Sequence, residues 1–264
     1  MSDVDPADSP HGRGGGNPAT EPSGDRSDSA DDGDAGQAAE FDVQSRSIAT
    51  AAAGLSFQRR VAVGCRGSAN PAALAWLAEQ LELGPDSTVC DVGAGLGGPM
   101  AWLAERYRCP ITGCDPAAGA VAGARTLFGL RLVQSSAAEL PFPDHHFDAA
   151  LLLGVVSVAP EPMAALREAR RIARRLGVID YCSTTGATVH VGGSTFAPES
   201  TLREWVDAAG WSVGAAVAVD LPTPDPWSRA IAAIDDEVPS PSSEREVVTA
   251  VEDGQLDQRV LTAS

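Results

Sequence analysis

Residues 89–104, VCDVGAGLGGPMAWLA, pack a short apolar strand, a glycine turn and a helix start into one uninterrupted stretch. Gly93, Gly95 and Gly97 admit positive φ and let a ligand approach the backbone, and the helix expected from near residue 97 offers unpaired N–H groups in its first turn. A strand that runs through glycines into a helix is how an open α/β sheet receives a nucleotide cofactor at the carboxyl ends of its strands. Asp91, two residues before the first glycine, bears on which cofactor.

Gly93, Gly95 and Gly98 also satisfy the G-x-G-x-x-G spacing of a dinucleotide loop, so the glycines alone admit NAD or FAD. A pyrophosphate is a dianion and is repelled by a neighbouring carboxylate; a ligand with an ammonium group and a sulfonium is attracted by it. S-adenosylmethionine carries both cations. Downstream, ITGCDPAAGAVAGARTLF reads as a second strand ending at Asp115, then Pro116 and an alanine-rich helix. An acid at the end of the second strand is placed to accept both ribose hydroxyls, which supports an adenosine cofactor of either kind. A third stretch, residues 131–172, carries Leu140, Pro141, Phe142, Asp144, Phe147 and Asp148 ahead of a fourth strand.

In these three blocks the chain resembles the class I S-adenosylmethionine-dependent methyltransferases, whose first motif, acid-x-Gly-x-Gly-x-Gly, is matched by Asp91, Gly93, Gly95 and Gly97. The blocks stand in the family's order across residues 88–182. The resemblance implies a doubly wound, mostly parallel seven-stranded Rossmann-like sheet with a last antiparallel strand beside the sheet edge. It implies S-adenosylmethionine as cofactor and methyl transfer to a small-molecule acceptor. It places Ser136 where relatives carry an Asp facing the adenine amino group, Ala137 with its N–H near the ring, and the Gly154 carbonyl where it meets the cofactor's ammonium. Ser136 departs from the pattern, and a neutral acceptor bonds roughly half as strongly as a charged one. In GVVSVAP, residues 154–160, Ser157 and Val158 stand where many relatives carry an acid and a histidine, so a base at that place is absent.

Composition narrows the partners. The chain has 264 residues, a formal charge of −17 and no lysine. Residues 1–40 alone hold ten acids and two arginines and are too polar to build a core, so they are expected to form a disordered acidic tail ahead of a domain spanning 41–264. An acidic, lysine-free chain does not suit a groove that tracks nucleic-acid phosphates. The absence of a long apolar run excludes a membrane span. Five cysteines, Cys65, Cys90, Cys109, Cys114 and Cys182, sit mostly in apolar strand patterns, which suits reduced packing thiols in a cytoplasm. Cys109 and Cys114 lack the second pair a zinc site needs. Nothing in the sequence fixes the oligomeric state.

Strand and helix alternate after Asn70 and Pro71, which cap and open a helix running to Leu83. Strands are expected near 88–93, 111–115, 131–135, 148–154 and 176–182, with helices near 97–107, 117–127 and 161–174 between them. A helix over 199–209, a strand over 211–219 and a short last strand over 258–262 follow. Three segments are expected to wall the acceptor cavity: an N-terminal helical lid over 41–68, the insert 183–196 read as a hairpin, and 222–237 around Trp227. Phe57, Phe196 and Trp227 in them suit a moderately hydrophobic acceptor. Asp180 and Tyr181, at the end of the fifth strand, are further pocket candidates. His190, in the hairpin, is the candidate base, because an ordinary pKa near 6.5 suits proton removal near neutrality. His145 and His146 read as turn residues. A SAM-binding protein without methyl transfer and, more remotely, an NAD-dependent oxidoreductase are the alternatives.

Overall fold

The computed structural model describes residues 41–65, 69–218, 225–238 and 242–264. β1 (Val89–Val92) is buried at every position because it is an inner strand, paired in parallel with β2 (Ile111–Asp115) on one side and β4 (Phe147–Leu153) on the other. The sheet continues through β3 (Val133–Gln134) beyond β2 and β5 (Ala173–Ser183) beyond β4, both parallel. β9 (Leu256–Ala263) runs antiparallel to β5, and β8 (Val213–Ala218) antiparallel to β9, giving the order β3-β2-β1-β4-β5-β9-β8. This is the expected doubly wound, mostly parallel seven-stranded sheet.

Adjacent strand residues face opposite layers, so the apolar run of β4 serves two cores at once. Leu151 packs with Leu74 and Leu77 of α3 (Pro71–Gln80) and Leu103 of α4 (Gly98–Tyr107). Leu152 packs with Leu166 and Ile172 of α6 (Pro162–Ile172) and Val206 of α7 (Glu199–Ala208). Asn70 caps α3 as its type predicts, its Oδ1 accepting the N–H groups of Ala72 and Ala73 at 3.0 and 2.9 Å.

Residues 41–52 form a helix, α1, that lies on α5 (Ala118–Phe128). The Gly119 N–H near the start of α5 donates to Asp42 Oδ1, and a Cβ on Gly119 would stand 2.0 Å from the Asp42 carbonyl oxygen. α2 (Phe57–Gly64) meets the start of α4 in an equally close approach, where a Cβ on Gly98 would lie 2.2 Å from the Gly64 carbonyl carbon. The expected lid is therefore two helices packed on the cofactor-loop end of the sheet; its residues 66–68 lie outside the described residues.

Several expectations are corrected. The last strand is eight residues long and lies inside the sheet, with β8 as the edge. The residues of β9 from Val260 on are buried, whereas the small residues of β8, VGAAVA, are mostly half-buried and suit an edge. β5 begins at Ala173, claiming Ala173 and Arg174 from the expected helix. Pairing of Phe147 with Ala173 opens that ladder, and Arg175 is tied to the Leu81 carbonyl. The third strand shrinks to two residues at the opposite edge. The insert after β5 does form a hairpin, β6 (Val189–Val191) and β7 (Ser194–Phe196), turned by Gly192 and Gly193 at φ 55° and 77°. Two helices, α8 (Asp225–Glu237) and α9 (Ser242–Glu252), fill the connection from β8 to β9. The acidic tail, residues 222–224 and the Trp227 side chain lie outside the described residues.

Two outcomes follow from this packing. Deleting residues 256–264 removes the partner of both β5 and β8, and the chain is expected to lose its cooperative thermal transition in circular dichroism. Gly98→Ala forces α2 and α4 apart and should destabilise the fold by about 1–3 kcal/mol, read from denaturant melts.

Candidate functional site

At the carboxyl end of β1 the chain turns through Gly93, Gly95 and Gly97, with φ of 74°, 53° and 78°, into α4. A Cβ on Gly93 would meet Val155 Cγ2 at 2.5 Å and one on Gly97 would meet Leu130 Cδ1 at 2.7 Å, so packing fixes these two from behind. Gly95 faces open space. It is the point at which a ligand can reach the loop backbone. Leu96 is buried against Ile48 and Ala49 of α1, which anchors the loop to the N-terminal helices.

The loop is tied to β2 by hydrogen bonds. The N–H groups of Gly93 and Ala94 both donate to the Cys114 carbonyl at 2.9 Å. Asp115 Oδ2 accepts the Gly95 N–H at 2.8 Å, and Oδ1 accepts that of Ala117 at 2.9 Å. Each oxygen thus spends one lone pair on the backbone and keeps another for a ligand hydroxyl. Burial raises the Asp115 carboxyl above its ordinary value, and the two backbone N–H groups draw it back down.

Asp91 is arranged differently. It is 1% exposed, and neither carboxylate oxygen has a hydrogen-bond partner among the described residues. Burial pushes its carboxyl well above the usual carboxylate range, and Cys114 and Asp115 push the same way. A buried carboxylate without donors is an expensive arrangement unless something supplies positive charge.

The remaining cofactor candidates border this corner. Pro116 is exposed and its carbonyl accepts from Gln134 Nε2 at 3.1 Å. The Ser135 N–H donates to the Asp115 carbonyl, which brings the following Ser136 and Ala137 beside the end of β2. Ser136 is exposed, with Oγ accepting the Ala138 N–H at 3.2 Å in a local turn. Gly154, with φ 71°, ends β4, and its N–H donates to the Ile179 carbonyl at 2.7 Å. Asp91, Gly93, Gly95, Gly97, Asp115, Pro116, Ser136, Ala137 and Gly154 therefore gather at the carboxyl ends of β1 to β4.

His190 does not join them. It is exposed on β6, its Nδ1 3.1 Å from Thr195 Oγ1, and it lines an open groove of about 500 Å³ with Arg245, Glu246 and Thr249 of α9. Two of the aromatic acceptor candidates, Phe196 and Phe57, are spent on packing. Phe196 is buried against Ala250 and Leu256, and Phe57 meets Phe128 edge to face at 6.1 Å, because both complete the packing of their own helices and strands. His145 and His146 lie in the turn before β4 as read, the first at φ 52°.

Two arrangements escaped the sequence reading. Asp180 is buried at the end of β5, where Oδ2 accepts the Ser157 N–H at 3.1 Å and Oδ1 that of Tyr181 at 2.8 Å. The Ser157 carbonyl in turn accepts the Thr195 N–H at 2.8 Å, so Asp180 fixes the turn after β4, and that turn fixes the hairpin. The signal was a lone acid in the apolar run LGVIDYC. Arg171 is the second: its guanidinium donates to the carbonyls of Leu140 and Phe142 and pairs with Asp144 and Glu168 at 2.9 and 2.7 Å. The Leu-Pro-Phe block is thereby a scaffold for the third and fourth strands.

A family model described as a methyltransferase domain matches residues 90–179, from β1 through β5. A fatty-acid O-methyltransferase of Mycolicibacterium smegmatis is 35% identical over 35% of each chain. A phosphatidylethanolamine N-methyltransferase of Cereibacter sphaeroides is 30% identical over 52% of this chain and 68% of its own. The chain spans about a third of the length of the fatty-acid enzyme and of a cycloartenol-C-24-methyltransferase of Oryza sativa that it also matches. Among solved structures, the [4+2]-cyclase SpnF is 25% identical with a TM-score of 0.60, covering 72% of this chain and 79% of its own. Geranyl diphosphate C-methyltransferase from Streptomyces coelicolor A3(2), in complex with S-adenosyl-L-homocysteine, shares the fold at 16% identity and TM-score 0.56, over 73% of this chain and 78% of its own. With the match running across the strands that carry the glycine loop, and a relative aligned over more than two thirds of its length, this chain belongs to the class I S-adenosylmethionine-dependent methyltransferases.

Proposed function

We propose that the protein transfers a methyl group from S-adenosylmethionine to a small-molecule acceptor. The observation that carries the reading is Asp91, a buried carboxylate with no donor of its own, one strand away from an Asp115 that retains lone pairs for hydroxyls. That donor set fits an adenosine bearing a cationic amino acid better than a dinucleotide. When bound, S-adenosylmethionine supplies a methyl group on a sulfonium, an electrophile that needs no metal and leaves as S-adenosylhomocysteine.

The chain's own residues do the holding. Asp115 would take the ribose hydroxyls, Pro116, Ser136 and Ala137 would border the adenine, and Asp91 with the Gly154 carbonyl would take the ammonium. Gly93, Gly95 and Gly97 let the ligand lie against the backbone. Methyl transfer is an in-line displacement, so the protein's remaining work is to align the acceptor and exclude water. The wall nearest the end of β5 is the hairpin, held by the Asp180–Ser157–Thr195 connection. Where the acceptor must lose a proton and extends from the glycine loop to the groove against α9, His190 is the candidate base through Nε2, with Nδ1 held by Thr195. The acceptor class favoured by the relatives is lipid-like, since their names include a fatty acid and phosphatidylethanolamine.

No helix among the described residues is long and apolar enough to cross a membrane, and all five cysteines are free thiols. Reduced thiols support a cytoplasmic location. The charge of −17 argues against nucleic acid as the acceptor.

A second reading is favoured by one observation: the structural relative at 25% identity is named as a cyclase, and Ser157 and Val158 provide no acid and histidine after β4. In that reading the cofactor is bound without being consumed. Incubation with S-adenosylmethionine and a panel of fatty acids, sterols and amines separates the two. Methyl transfer releases S-adenosylhomocysteine and an acceptor heavier by one methylene, whereas intact cofactor after exhaustive screening favours the second.

Two variants test the site. Asp115→Ala is expected to weaken S-adenosylhomocysteine binding about tenfold to a hundredfold in titration calorimetry, by loss of charge-assisted hydrogen bonds. His190→Gln should lower kcat about a hundredfold for an acceptor that loses a proton; an unchanged kcat removes His190 from the chemistry.

A further inference from the structure

Donors favour the ionised form of a buried carboxylate, and the Gly95 and Ala117 N–H groups oppose in this way the effect of burial on Asp115. Asp91 has no such support among the described residues: both oxygens are buried and without a hydrogen-bond partner there, within β1. Among the described residues, the titratable groups near enough to act on it are Cys114 and Asp115 of β2, Cys65 after α2 and its own neighbour Cys90. On the β4 side its register partner is Leu151. None of these is a cation. In such surroundings a carboxyl group lowers its free energy by keeping its proton.

We propose that the free protein carries Asp91 as a neutral carboxylic acid and that seating the cofactor's α-ammonium group against it expels the proton, so that cofactor binding releases a proton to solvent. The inference rests on the cofactor reading above. The O–H bond of the acid breaks, the proton passes to water or buffer, and a carboxylate–ammonium pair remains at the base of the loop. An α-amino group carries its own proton up to about pH 8, so it enters already charged. A cation gains by ionising Asp91, while an anionic group finds no counter-charge there in either protonation state.

The sign of the pH dependence follows. The bound state holds fewer protons than the free state, so affinity rises with pH, by about tenfold per pH unit, until free Asp91 ionises unaided or the ligand's amine loses its charge. Burial also raises the Asp115 carboxyl, but its two backbone donors are present in both states, and any proton it exchanges is counted equally in wild type and Asp91→Asn.

The test is titration calorimetry of the full-length protein with S-adenosylhomocysteine at about pH 7 in phosphate and in Tris, whose ionisation heats differ; the difference in measured heat counts protons. Wild type should release about one proton per bound ligand, and Asp91→Asn, which keeps the shape of the neutral acid, should bind more weakly and release none. Infrared spectra of the free proteins give a second readout that does not depend on how tightly the variant binds. The carbonyl stretch of a protonated carboxylic acid should be present in wild type, absent from Asp91→Asn, and lost from wild type on adding the ligand. Tight binding with no proton release, or equal release by both proteins, overturns the proposal and leaves the cofactor site standing. Failure of wild type to bind S-adenosylhomocysteine at all overturns the cofactor reading itself.

Discussion

The site exists because the backbone of residues 93–98 lies closer to its surroundings than a chain with side chains could. Val155 stands behind Gly93, Leu130 behind Gly97 and the Gly64 backbone behind Gly98, each inside the distance a Cβ would need. These contacts come from the β4 loop, the segment after α5 and the end of α2, three parts of the chain remote in sequence. They press the loop from behind and leave Gly95 facing outward. Side chains on the buried positions would move the loop, and with it the start of α4 and the N–H of Gly95 that Asp115 holds.

On this frame the carboxyl ends of the strands carry three buried acids that differ in what holds them. Asp115 is satisfied by backbone donors and serves the loop as much as a ligand. Asp180 is satisfied by Ser157 and Tyr181 and spends its hydrogen bonds on architecture, joining the turn after β4 to the hairpin. Asp91 alone of the three has no donor among the described residues, which is why the proposed function turns on it. One chemical group at one end of one sheet thus meets three different surroundings according to the N–H groups within reach.

The far end of the sheet is held by arginine. Arg171 closes the Leu-Pro-Phe block onto α6, Arg174 pairs with Asp148 at 3.5 Å and Arg170 lies over the Trp211 ring at 5.1 Å. Much of the basic charge in this acidic chain is thereby spent on its own carbonyls and carboxylates.

The strands, the order of helices and the nine cofactor candidates were legible in the sequence, because glycine turns, apolar runs and isolated acids are local signals of period and chemistry. The Asn70 cap and the hairpin at residues 189–196 were legible for the same reason. Partners were not. That residues 256–263 lie between β5 and β8, that Phe57 and Phe196 are spent on packing, that His190 stands in a groove against α9 away from the glycine loop, and that Asp180 rather than a histidine organises the turn after β4 all depend on contacts between distant segments. Sequence by itself determined which local structures form and which residues carry charge; the tertiary structure alone decided which of those charges find donors, since a hydrogen bond depends on distance in space and not on position along the chain.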